Sequence, residues 1–189
     1  MQKWWGHYEV PPGRAFRFAV GPLELWIESR TREWRIATAD APEALDRFAI
    51  EGPLELSSPA DAPVHRFATS PADQRVTLSP VPADRPIVVR PDPAVSVPPD
   101  ETVTFYVSTP SWVEIVSSTG KQLGTFPSTR LSDTWFGAST MEGQLCYASR
   151  TAARLLLEAL PVRPGRVRTA IEVRNQGRDR LLLERVQLP

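Results

Sequence analysis

Twenty prolines stand in 189 residues, about twice the usual share, and their spacing leaves few stretches in which a helix could propagate. Proline locks φ and removes a backbone donor, so it interrupts helix interiors and is tolerated at strand edges, bulges and turns. The chain is therefore expected to fold as many short strands.

The apolar runs between the prolines carry the period of two that a sheet wet on one face requires. Residues 14–20 set Phe16, Phe18 and Val20 against Ala15, Arg17 and Ala19. After Gly21-Pro22, strands are predicted over 23–28 and 33–37, the last setting Trp34 and Ile36 against Glu33 and Arg35. Further strands are predicted over 64–68 and 75–78, flanking Ser70-Pro71-Ala72-Asp73 as a type I turn, and over 102–107, 112–116 and 121–126. Residues 167–173 and 181–188, around Asn175-Gln176-Gly177-Arg178, predict a closing hairpin.

Gly-Pro-Leu-Glu-Leu occurs at residues 21–25 and again at 52–56, each copy expected as a turn that opens an alternating strand. Two copies fall short of a repeat architecture. Pro42 near a first helical position predicts one helical turn over 42–48. Residues 151–160 are rich in helix formers and stop at Pro161, so propensity favours helix where the surroundings favour strand, and both stay open.

Seven prolines fall between Pro80 and Pro99, interrupted by Ile87-Val88-Val89. They predict an N-terminal β domain over 1–82, a proline-rich connector or edge strand over 83–99, and a C-terminal β-sandwich domain over 100–189. The fold expected is mainly β, with antiparallel strands in two small β-sandwich or barrel-like halves, the second immunoglobulin-like, and at most one or two short helices. A single continuous sandwich is the alternative.

Charge gives little direction. Twenty-two basic and 22 acidic residues cancel, which disfavours nucleic acid as a partner, and the Arg residues near the C-terminus are interleaved with Glu158, Glu172, Asp179 and Glu184. Alternation puts Arg166, Arg168 and Arg174 on the wet face of a sheet, where arginines ordinarily lie. No window has the roughly 20 apolar residues of a membrane helix, and the N-terminus has no stretch of signal-peptide length. One cysteine, Cys146, excludes an internal disulfide and points to a reducing, cytoplasmic setting.

Catalytic constellations are scarce. His7 and His65 are the two histidines, too few for an imidazole-rich metal centre, and Cys146 between apolar flanks reads as a buried strand residue. No phosphate loop, nucleophile elbow or Cys-x-x-Cys pair occurs, so no cofactor or metal is expected. The densest candidate site is Asp133, Trp135, Phe136 and Glu142, where aromatic faces beside carboxylates would stack on a sugar ring or hold a peptide. The bland alternative is that Trp135 and Phe136 plug the end of a sandwich. Trp4, Trp5 and Tyr8 form a second cluster; two adjacent tryptophans at a terminus imply docking, on the parent domain or on a partner surface.

Three stretches carry a resemblance: Gly21-Pro22-Leu23 with Trp34; Thr134-Trp135-Phe136-Gly137 followed by Gly143-Gln144-Leu145-Cys146-Tyr147; and Val173-Arg174-Asn175 through Leu188-Pro189. In these the whole chain resembles an uncharacterised prokaryotic domain-of-unknown-function family found in archaea and some bacteria. The resemblance implies no activity and no catalytic residue, and it draws attention to the Trp-Phe-Gly loop. The leading expectation is a noncatalytic binding or scaffold protein that engages another protein, or itself, through β edges or end loops. Carbohydrate or small-ligand binding at Trp135 and Phe136 is the alternative, and a hydrolase using Asp133 and Glu142 the third reading.

Overall fold

A computed structural model describes residues 3–55 and 58–189. Leu56, the last residue of the second Gly-Pro-Leu-Glu-Leu copy, lies outside them. The described strands are β1 (Gly6–Glu9), β2 (Arg14–Val20), β3 (Leu23–Arg30), β4 (Glu33–Asp40), β5 (Phe48–Leu54), β6 (Val64–Ala68), β7 (Arg75–Val81), β8 (Ile87–Pro91) and β9 (Val95–Val97). They continue as β10 (Thr102–Pro110), β11 (Trp112–Ser117), β12 (Gln122–Pro127), β13 (Ser132–Phe136), β14 (Gln144–Thr151), β15 (Arg166–Arg174), β16 (Leu181–Leu183) and β17 (Val186–Leu188). The protein is mainly β, as the proline spacing dictates.

The chain divides into two compact units that are discontinuous in sequence. The first takes the residues up to Pro82 together with Ser111–Thr129 and Arg163–Gly165; the second takes Ala83–Pro110, Arg130–Val162 and Arg166–Pro189.

The first unit holds a five-stranded sheet, ordered β5-β2-β3-β4-β6, and a four-stranded sheet, ordered β1-β7-β11-β12, all antiparallel. The alternation read from the sequence places Phe16, Phe18, Val20, Leu25, Ile27, Trp34 and Ile36 in one core with Val76, Leu78, Val113, Ile115 and Leu123. The turn between β2 and β3 has two residues, and Gly21 there takes φ +58°, the sign that the first position of a primed hairpin turn demands. The second Gly-Pro copy departs from expectation. Gly52 and Pro53 lie inside β5, where the register with β2 slips between Ala15 and Arg17, and a Cβ on Gly52 would press on the Phe16 ring at 2.9 Å. Gly-Pro thus precedes one strand and lies inside another, at a slip of register.

On the outer face of the five-stranded sheet, charge is neutralised pairwise. Arg17 bridges Glu24 at 3.1 Å and Glu51 at 3.0 Å. Glu33 accepts from both Arg66 and Arg35, which together hold its carboxyl down at about 2.

The second unit contains the sheet β13-β14-β8-β17 and the pairs β10-β15 and β16-β9. Ile87–Pro91 is an inner strand here, not an edge: it pairs parallel with β14 and antiparallel with β17. Pro86 precedes the strand and Pro91 ends it, so the N–H groups of Val88, Val89 and Arg90 stay available to the ladder. Ile87, Val88 and Val89 are all buried, as a continuous apolar run between two partners should be.

Three local expectations change. Residues 42–48 form two consecutive turns, Ala44 N–H to Ala41 O and Arg47 N–H to Ala44 O, without a helix. In residues 151–160, Thr151 ends β14, Arg154 forms a β-bridge with Tyr106 through both backbone hydrogen bonds, at 2.7 and 3.0 Å, and the helical part is a 3-10 turn at Leu157–Ala159. Leu155 and Leu156 stay exposed, so no packed face supports a helix that propensity alone could not sustain. The closing hairpin is also absent. β15 pairs with β10 over nine residues, while β16 and β17 pair with β9 and β8. Buried Asn175 redirects the chain, its amide donating to Val97 O, Pro98 O and Asp179 O at 2.9, 3.0 and 2.8 Å.

Candidate functional site

The Trp-Phe-Gly stretch is the end of β13, an edge strand paired with β14 in the register Trp135↔Leu145 and Asp133↔Tyr147. Opposed residues share a face, so Asp133, Trp135, Leu145 and Tyr147 project from one side of this hairpin. Phe136 projects from the other, beneath the Arg185 guanidinium at 5.3 Å. Arg185 also donates to Trp135 O at 2.5 Å, placing a cation on the sheet edge, a common guard against strand addition.

The loop over residues 137–143 is tightly built. Its two ends meet at Gly137 and Gly143: a Cβ on Gly137 would collide with Glu142 O, and one on Gly143 would lie 2.5 Å from Phe136 O. Within it the Ser139 hydroxyl accepts from the Met141 and Glu142 N–H groups at 3.2 and 3.1 Å, and Trp135 Nε1 donates to Ser139 O at 2.8 Å. The indole is therefore fixed at its polar end while Trp135 stays 42% exposed, opposite Leu145 at 47%. The Gly137→Ala variant is expected to force these backbones apart and lose about 1–3 kcal/mol, the usual cost of a methyl group placed where there is no room. Chemical denaturation would check this, and a shifted Trp135 emission maximum would locate the damage.

Beside Trp135 lies a charged group that motif reading missed. Arg85 stacks over the Tyr147 ring at 4.1 Å and pairs with Asp133 at 3.1 Å, while Tyr147 Oη donates to Asp84 at 3.0 Å. Arg85 and Tyr147 are far apart in the chain, and the parallel pairing Tyr147↔Ile87 brings them together. No sequence motif encodes that pairing.

The four residues read as a ligand site thus divide. Asp133 and Trp135 share a face, Phe136 turns away under Arg185, and Glu142 sits in the loop, its backbone N–H held by Ser139. Asp133 already has a guanidinium partner. The histidines are elsewhere, on β1 and β6, and among the described residues no group of three His, Cys, Asp or Glu could hold a metal ion. Cys146 is fully buried.

Trp4, Trp5 and Tyr8 dock onto their own unit. Trp4 is 3% exposed within the core, Trp5 meets it edge-on at 5.6 Å, and Tyr8 Oη donates to Trp4 O at 2.7 Å while its ring packs on Phe16 and Phe18. Burial of this much aromatic surface stabilises the unit more than a free surface would, so Trp4 is not available to a partner.

No curated protein and no solved structure matches the chain. The family of proteins of unknown function designated DUF432 matches it over residues 4–189. The resemblance first carried by the Trp-Phe-Gly stretch therefore extends over nearly the entire sequence, and the chain belongs to the DUF432 family.

Proposed function

We propose that the chain is a noncatalytic binding protein that docks another protein, or a second copy of itself, on the β13–β14 hairpin. The carrying observation is an exposed tryptophan whose indole is held: Trp135 is anchored through Nε1 to Ser139 O, and exposed Leu145 lies opposite it on β14. Tryptophan, tyrosine and arginine dominate binding hot spots, and Trp135, Tyr147 and Arg85 stand together on this face. Anchoring the indole beforehand lowers the ordering entropy that association must overcome. The immunoglobulin-like character expected for the second unit suits display of such an end loop, and a lone buried thiol suits a reducing cytoplasm. Stacking of a sugar ring on Trp135 is the second reading, supported by Asp133 on the same face.

The test compares the full chain with Trp135→Ala and Leu145→Ser. Sedimentation velocity measures self-association, affinity capture measures a partner, and Trp135 fluorescence under a panel of mono- and disaccharides measures sugar binding. Each substitution is expected to weaken protein association by about 2 kcal/mol, roughly 30-fold, while shifting stability by less than about 1 kcal/mol. Unchanged association in both variants refutes docking at this hairpin. Saturable quenching by a sugar, lost in Trp135→Ala, would select the second reading.

A further inference from the structure

β8 and β14 run parallel, and their register places Arg90 directly beside Arg150. Registered residues of neighbouring strands project from the same face at about 4.8 Å spacing. Both arginines are exposed, and neither side chain has an ion pair or hydrogen bond among the described residues. Like charges set side by side on a sheet oppose each other. In the first unit the corresponding problem is solved internally, with Arg17, Arg35 and Arg66 each facing a carboxylate.

Neither Arg90 nor Arg150 forms such a pair among the described residues. The ladder positions sharing the face include Ser132, Thr134, Ala148, Val88 and Gln187, and none of these is acidic; Asp133 lies on the opposite face. Asp92, two residues beyond Arg90, donates its N–H to Thr151 O at 3.1 Å and forms no ion pair among the described residues. Two exposed arginines in one row, without an ion pair among the described residues, offer the planar N–H donors that recognise phosphate oxygens.

We propose that Arg90 and Arg150 form a binding site for a dianionic phosphate group, either inorganic phosphate or a terminal phosphomonoester. The anion spans both guanidinium groups and removes their mutual repulsion. Arg150 belongs to β14, but it alternates to the face opposite Asp133 and Trp135, so this assignment does not rest on docking at that surface.

The test titrates the full chain with inorganic phosphate, following the arginine Nε–H signals by NMR, against chloride at matched ionic strength. The Arg90 and Arg150 signals are expected to move together along one saturating curve. Arg90→Gln or Arg150→Gln should weaken the interaction about tenfold, the loss expected for charge-assisted hydrogen bonds, with the unfolding midpoint unchanged because both side chains are exposed. Binding should also weaken below about pH 6, where the phosphate loses its second charge. A parallel titration with O-phosphoserine separates the two sources: tighter binding than inorganic phosphate selects a phosphomonoester, equal binding the free ion. Nonsaturating shifts like those in chloride, or full-strength binding in both variants, would overturn the site.

Discussion

A chain ending at Pro82, expressed alone, is expected to remain unfolded. It would keep all five strands of the β5-β2-β3-β4-β6 sheet but only β1 and β7 of the facing sheet, since β11 and β12 come from Ser111–Thr129. The inner face of β2, β3 and β4 would then lose Val113, Ile115 and Leu123, all buried, and leave Val76 and Leu78 with one side uncovered. Each such side chain contributes about 1.5–3 kcal/mol on burial, so three of them approach the roughly 5–15 kcal/mol by which a domain is stable at all. β7 would also lose its ladder with β11, leaving an unprotected edge. Circular dichroism and amide NMR on the fragment check the expectation, and a cooperative melt would refute it. Joining residues 111–129 to Pro82 through a flexible linker should restore cooperative unfolding, because it returns β11 and β12 to the same chain.

What the sequence conveys about this fold is local. Period-two alternation identifies the inward faces of β2, β3 and β4 because each strand meets water on one side, and Gly21-Pro22 identifies its own turn. Pairing between distant segments leaves no such mark. Residues 112–116 and 121–126 read as two more short strands, and nothing in them states that β11 will lie against β7 across some thirty intervening residues. The helix-forming stretch over 151–160 shows the same limit in reverse: local preference is plain, and the backbone bonds between Arg154 and Tyr106 override it.

The candidate site was legible to the same degree. Trp135 and Asp133 drew attention as an aromatic beside a carboxylate, and alternation along β13 accounts for Phe136 facing away from both. Arg85 was hidden in a proline-rich stretch, because its position over Tyr147 depends on the parallel register of β8 with β14. Gly137 and Gly143 were visible as letters, but their necessity comes from two backbones meeting across the loop.

Asp73→Ala is expected to be the most damaging single substitution in the first unit. The residue closes the β6–β7 turn, its N–H donating to Ser70 O at 3.0 Å, and its carboxylate is buried. Four donors converge on that carboxylate: Trp34 Nε1 at 3.2 Å, Thr69 Oγ1 at 2.6 Å, and the N–H and Oγ of Ser118 at 3.0 and 2.6 Å. One side chain thereby ties β4, the β6–β7 turn and the β11–β12 turn. Alanine would leave these donors unsatisfied, the indole N–H and the Ser118 N–H among them, and hydrogen bonds to a charged group are each worth about 1.5–3 kcal/mol. Partial relief by water brings the expected loss to about 3–5 kcal/mol, measurable by urea denaturation.

The same contacts set a pH dependence of known sign. Desolvation acts to raise the Asp73 carboxyl, but the hydrogen bonds from Ser118, Thr69 and Trp34 outweigh it and hold the group below its ordinary value. Its contribution is therefore fully present above the unfolded carboxyl value near 4, and it is lost as pH falls through the lower folded value. Asp73→Asn should flatten that part of the acid unfolding profile while costing less than alanine, since the amide oxygen can still accept from some of the donors. An acid profile for Asp73→Asn that superimposes on the unsubstituted protein would show that the carboxylate's charge is not what the four donors stabilise.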